Sequence, residues 1–192
     1  MAGYQRILLD HYTETLKALK KGPADSLDDC CDTRDLHQAY FCELVPDGFA
    51  YYAGNHRGAS FRCLRNRRIE VNADPRVGTK PRDVSSAMKG LEREIQEAIE
   101  KLDRLRASKE EHLLETIIAM CDLHVRFLTV HPYLNGNGHM ARFVLVALLG
   151  RYGYWPSRFP IEPKPPGRYY DTLTPYRDGK TEPLLEFVLD CF

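Results

Sequence analysis

From Ser85 to Val130 apolar residues return at three- and four-residue steps, and this periodicity commits a long continuous part of the chain to helix. Met88, Leu91, Ile95, Ala98, Ile99, Leu102 and Leu105 recur among Glu, Lys and Arg, which predicts an amphipathic helix over Ser85 to Arg106. From Glu110 to about Val130, Leu113, Leu114, Ile117, Ile118, Cys121, Val125 and Leu128 lie on overlapping faces, so this segment is expected to be the buried central helix, ended by Pro132. A third apolar stretch runs from Met140 to Leu149 and closes at Gly150, while Gln5 to Lys20 and Pro183 to Leu189 also read as helix. The expected fold is mainly α.

One segment departs from that pattern. Phe61-Arg-Cys-Leu and Ile69-Glu-Val-Asn are short alternating runs on either side of Arg65-Asn66-Arg67-Arg68, which predicts a small β-hairpin. Pro156, Pro160, Pro163, Pro165 and Pro166 exclude helix and central strand, so this stretch is expected to be an extended surface connector.

With 192 residues, 43% hydrophobic and 28% charged, the chain is expected to form a single domain over residues 1–192. Twenty-seven basic residues balance 27 acidic ones, so no long-range field draws the protein to nucleic acid or anionic lipid. Any polyanion it binds must be small and locally gripped. No apolar run reaches the ~20 residues needed to span a bilayer, and the first residues lack a signal-peptide pattern. A cytoplasmic address is expected. The six cysteines form no Cys-x-x-Cys pair and read as reduced thiols, most of them small core residues. His124 stands seven residues before His131 with no third ligand at metal-site spacing, so it reads as structural.

Between two apolar helices lies His131-Pro-Tyr-Leu-Asn-Gly-Asn-Gly-His-Met-Ala-Arg142. Two glycines within three residues permit a tight turn that presents backbone N–H groups, and the helix that follows adds unpaired amides and the positive end of its dipole. Such a loop is an anion site. His139 and Arg142, three apart on the first turn, can face the same anion.

The ordered set closely resembles the signature of the Fic family, whose usual form is His-Pro-Phe-x-Asp/Glu-Gly-Asn-Gly-Arg-x-x-Arg. Upstream, Gly54-Asn-His-Arg57 followed by the expected hairpin is similar to the family's flap, and Met88-x-x-Leu91 opens the next helix as in the family. Downstream, Tyr169-Tyr-Asp-Thr-Leu173, Gly179 and Pro183-Leu184-x-x-Phe187 match its C-terminal pattern. The resemblance covers about Gly54 to Phe187. It leaves about residues 1–50 as a helical N-terminal extension on a Fic-type bundle with a hairpin flap.

The resemblance implies transfer of part of a nucleotide, usually AMP from ATP, to a hydroxyl of a target protein. His131 is then the general base. Asn137 and the amides of Gly136 to Gly138 hold the α-phosphate, Arg142 grips the outer phosphates, and Tyr133 fills the core where the family has phenylalanine. Tyr169 or Tyr170 lines the nucleobase pocket. The flap, through Phe61, Cys63, Ile69 and Val71, docks the target as an added strand.

Two positions depart from the signature. The acidic Mg²⁺ ligand is Asn135 here, which offers a neutral oxygen and should hold the metal less firmly. The first arginine is His139, expected to carry charge only in the acidic half of the physiological range and so to tighten triphosphate binding as pH falls. Three activities fit: an AMP transferase using ATP, a Fic enzyme with another nucleotide or phosphate-linked donor, and a non-catalytic nucleotide-binding or protein-docking module. The family's Ser/Thr-x-x-x-Glu-Gly/Asn inhibitory helix has no counterpart in the sequence. Restraint then comes from an inhibitory partner protein, or the site needs none. The sequence is also compatible with an effector delivered to another cell.

Overall fold

The computed structural model describes residues 3–21, 26–71, 74–158 and 167–192. Its helices are α1 (Gly3–Lys21), α2 (Ser26–Cys31), α3 (Arg34–Phe41), the single turn α4 (Arg62–Arg65), α5 (Val84–Arg104), α6 (Lys109–Val130), α7 (Asn137–Arg151), α8 (Gly167–Arg177) and α9 (Glu182–Leu189). The described residues are mainly helical, as the periodicity predicts.

Helix α6 is central in that α5, α7, α8 and α9 all pack against it, but the helix buried throughout is α7. Every residue from Met140 to Gly150 is buried, and a helix that is apolar all round can satisfy itself only inside the protein. By contrast, residues 109–115 at the start of α6 face outward and leave Leu114 exposed, while from Thr116 onward its inner face enters the core. A capping box starts α6: the Glu111 N–H donates to Ser108 Oγ and the Ser108 N–H donates to Glu111 Oε2. Helix α6 packs along α7 and α5 packs along α6, with α2 wedged between α5 and α7. Leu8, Tyr12 and Leu19 bury one stripe of α1, which rests on α7. Helices α8 and α9 pair with each other and close over α6.

Among the described residues the expected hairpin is not formed. Leu64 is fully buried, and the Leu64 and Arg65 N–H groups both donate to Phe61 O, which winds α4 where the first strand was expected. The Gly58 N–H takes the Leu64 carbonyl, and residues 67–71 continue as irregular backbone. The hairpin's end at Asn72 lies outside the described residues, as does the connector from Phe159 to Pro166.

Cys30, Cys121 and Cys191 are buried thiols, Cys31 and Cys63 are half-buried, and Cys42 is exposed. Among the described residues no helix is long and apolar enough to cross a membrane.

Candidate active site

The motif begins where α6 ends. Its last carbonyls have no intrahelical donors and carry the negative end of the helix dipole. Arg57 supplies both donors and charge: its Nε bonds His131 O at 2.8 Å and its Nη2 bonds Val130 O at 3.1 Å. The Arg57 N–H donates to Pro132 O, and the Gly78 and Thr79 N–H groups take Thr129 O and Val130 O. Arg57 is only 1% exposed, and burial lowers its pKa to about 10, which leaves it cationic at neutral pH.

That clamp holds His131 in the left-handed region, at φ 52° and ψ 61°, an uncommon conformation for a side chain bearing Cβ. His131 Nδ1 lies 3.3 Å from Leu128 O. A carbonyl can only accept, so Nδ1 carries the proton and Nε2 keeps its lone pair. Burial, together with the charges of Arg57 and Arg177, lowers the imidazole pKa below its ordinary value, against the opposing pull of the Leu128 carbonyl. The ring is therefore neutral at physiological pH, as a base must be.

The loop from Tyr133 to Asn137 is closed by its own side chains. The Tyr133 N–H donates to Asn137 Oδ1 at 2.8 Å, and Asn137 Nδ2 donates to Tyr133 O at 2.9 Å. Asn137 is 2% exposed, so its amide braces the loop instead of facing a ligand, a different job from the phosphate contact expected of it. Gly136 turns into α7 at φ 79°, and a Cβ there would lie 2.5 Å from the ring of Phe41. Only glycine satisfies both conditions.

Tyr133 is buried as predicted, with its hydroxyl 2.8 Å from Thr33 Oγ1. Its ring is sandwiched between two histidines: His37 stacks on it, and His56 meets it edge-on at 4.8 Å. His37 was not singled out from the sequence. Its Nε2 donates to Asn135 O at 3.0 Å and its Nδ1 accepts the Gly54 N–H at 2.9 Å, so the N-terminal extension and the Gly54 segment both grip the motif loop.

The start of α7 offers amide N–H groups that have no intrahelical partner. Above them folds Arg142, 3% exposed, so close that a Cβ on Gly138 would lie 2.9 Å from its Nη1. The Arg142 guanidinium also bonds the hydroxyl of Tyr169. The Tyr169 O–H donates to His124 Nε2 at 2.6 Å, and His124 Nδ1 donates to Ala141 O at 2.9 Å. His124, structural in the sequence reading, is thus the back support of the motif arginine. Tyr169 is enclosed in that chain and cannot line an open base pocket, whereas Tyr170, set edge-on against it at 5.2 Å, is 40% exposed.

His139 departs from expectation. Its ring packs against Tyr12 and Phe41, and Arg142 Nη2 lies 3.4 Å from its Nδ1. Burial, with the charges of Arg142 and His37, pushes its pKa down to about 3. It is neutral throughout the physiological range, so the expected charge in the acidic half of that range does not appear.

Asn135 is exposed, and its Oδ1 already accepts the Gly136 N–H at 2.8 Å. No group of three or more His, Cys, Asp or Glu with metal-site geometry occurs among the described residues. The loop therefore offers Mg²⁺ no charged oxygen, and the residues present do not fit a metal held by the protein.

Beside the motif, a cavity of about 680 Å³ opens between Leu134 and the flap. Cys63 and Ile69 of the expected docking residues line it, and Phe61 stacks on Tyr51 at 4.7 Å near it. Val71 is half-buried and is not part of the lining. The neighbouring Tyr51 and Tyr52 hydroxyls hold the pKa of the Cys63 thiol below its ordinary value, and the charges of Arg62 and Arg67 act in the same direction.

A sequence model of the Fic/DOC family matches residues 32–149, more than half of the chain and including the whole motif. Among curated proteins, the Protein adenylyltransferase Fic of Drosophila melanogaster is 27% identical over 93 residues, which is 48% of this chain and 18% of that protein. The protein of the same name from Aedes aegypti is 28% identical over 125 residues, covering 65% of this chain and 22% of that protein. The chain therefore spans about a fifth of the length of these relatives.

Proposed function

The chain belongs to the Fic/DOC family, and from that premise we propose that it transfers AMP from ATP to a hydroxyl side chain of a target protein. The name of the relatives, protein adenylyltransferase, favours AMP as the transferred group. The observation that carries the reading is His131, with Nδ1 committed to Leu128 O and Nε2 bare, standing one short loop before the amides of α7 and the guanidinium of Arg142.

In this reading His131 Nε2 takes the proton of the target hydroxyl as its oxygen attacks the α-phosphorus. A phosphorus–oxygen bond forms to the target, the bond to the bridging oxygen breaks, and pyrophosphate leaves. Charge developing on the α-phosphate meets the amides at the start of α7, fixed in advance by the Asn137 brace, so little reorganisation is needed during reaction. Arg142 holds the outer phosphates and Tyr170 offers a face to the base. No step is routed through a metal.

A second reading, a donor with fewer outer phosphates, draws on the neutrality of His139, which leaves Arg142 the cation nearest the start of α7 within the motif. Incubating the protein with mixed nucleotides and mapping added mass on Tyr, Ser and Thr by mass spectrometry tests both. Addition of AMP supports the first, and a different adduct with no AMP supports the second. No adduct on the protein or on added target protein, despite ATP binding, contradicts both.

A further inference from the structure

We propose that the cavity beside Leu134 recognises an acidic segment of the target, with carboxylates flanking the hydroxyl that His131 deprotonates. The inference deepens the transferase reading and rests on it for the position of that hydroxyl.

The whole chain is electrically balanced, yet this cavity is not. Arg62, Arg67 and Arg68 line it against the single carboxylate of Glu70. Several surface arginines elsewhere are matched within the protein: Arg34 with Asp32, Arg76 with Asp74 and Asp178, Arg126 with Glu94, Arg168 with Asp190. None of the three cavity arginines forms an ion pair among the described residues, and Glu70 on the same wall does not neutralise them. Three unmatched guanidiniums gathered round one concave space form a local positive field suited to carboxylates.

The cavity's position ties it to the chemistry. Arg57 Nη1 donates to Arg67 O at 3.1 Å while its Nε donates to His131 O, so one buried guanidinium holds both the cavity wall and the base. Leu134, also in the lining, is three residues from His131. Leu134, Ile69 and Tyr52 supply an apolar lining for side-chain stems. About 680 Å³ lies within the range of sites that enclose a ligand. Without a strand over residues 67–71 to be extended, charge is the specificity this wall offers. The plainer alternative is an arginine tip that serves only solubility.

Fluorescence anisotropy on the full chain separates the two. The probes are dye-labelled peptides of alternating Glu-Tyr, Gln-Tyr and Lys-Tyr, and an oligo-dT of equal length. The acidic peptide is expected to bind at least tenfold tighter than the Gln-Tyr peptide, and to weaken at least tenfold in Arg62→Gln/Arg67→Gln/Arg68→Gln. Affinity should be unchanged in Arg126→Gln. Equal affinity for the acidic and neutral peptides overturns the proposal even if the triple variant fails to fold. So does an oligo-dT that binds as tightly as the acidic peptide, which would mark a nucleic-acid surface. ATP binding and AMP transfer are read separately: peptide selectivity without transfer contradicts the transferase reading alone, and transfer without peptide selectivity contradicts the acidic segment alone.

Discussion

The imidazole of His37 lies face to face with the phenol ring of Tyr133, 3.8 Å between centroids and 11° between planes. The same imidazole bridges Asn135 O and the Gly54 N–H, so a residue of α3 fixes the turn that follows the catalytic candidate. Because Nδ1 accepts and Nε2 donates, only the neutral ring fits. Burial pushes its pKa down to about 4.

His37→Phe keeps the stacking and removes both bonds, leaving two part-buried backbone groups without their partner. A loss of about 1–3 kcal/mol is expected from such unsatisfied groups, read by urea unfolding monitored by circular dichroism. An unchanged midpoint would mean that water replaces the ring at no cost.

Acid should weaken the fold through several histidines together. Folded-state pKa values are lowered to about 4 for His37, His56 and His124 and to about 3 for His139, chiefly by burial. The unfolded chain takes up protons near pH ~6.5, before the folded protein does. Stability is then fully present above that pH and declines as pH falls toward about 4, each histidine contributing about 1.4 kcal/mol per pH unit at most. Unfolding midpoints from pH 8 to pH 4.5 check it: a flat profile above 7 and a fall below 6.5 are expected.

Arg57→Met removes the clamp on α6 and a positive charge near His131. Loss of three hydrogen bonds from a charged donor is expected to cost about 3 kcal/mol or more. Since the Arg57 charge helps to lower the His131 pKa, the acid limb of the transfer rate should move to higher pH. A pH–rate profile with an unmoved limb would separate Arg57 from the base.

His139 neutral at a pKa of about 3 predicts that ATP affinity stays flat between pH 6 and pH 8. His139→Arg should tighten triphosphate binding by about fivefold or more, since a charge at about 4 Å is worth ~1 to ~4 kcal/mol. Calorimetric titration of ATP at several pH values reads both. Strengthening of the parent as pH falls would show that phosphate protonates the ring on binding.

Much of this was legible in the sequence, because periodicity and the motif are local signals. The α5 and α6 segments are bounded to within a residue or two, and the resemblance implies the burial of Tyr133, which takes the place of a core phenylalanine. Helices α2 and α3 fall within the expected helical extension but are not delimited by the sequence, because both are short. The roles of His37 and Arg57 are long-range and have no spacing to announce them: their partners lie 98 and 74 residues away. Burial, which composition cannot report, sets the state of His139. The hairpin failed because alternation around Leu64 suggested a strand, while the core took Leu64 as one turn of helix.

The most direct test of AMP transfer by His131 follows radiolabel from ATP into acceptor protein, comparing label on the α-phosphate with label on the γ-phosphate. The account predicts incorporation from the α position, none from the γ position, and none from either in His131→Ala, with ATP affinity retained in that variant. Incorporation from the γ-phosphate, or α-label transferred by His131→Ala at the parental rate, would contradict it.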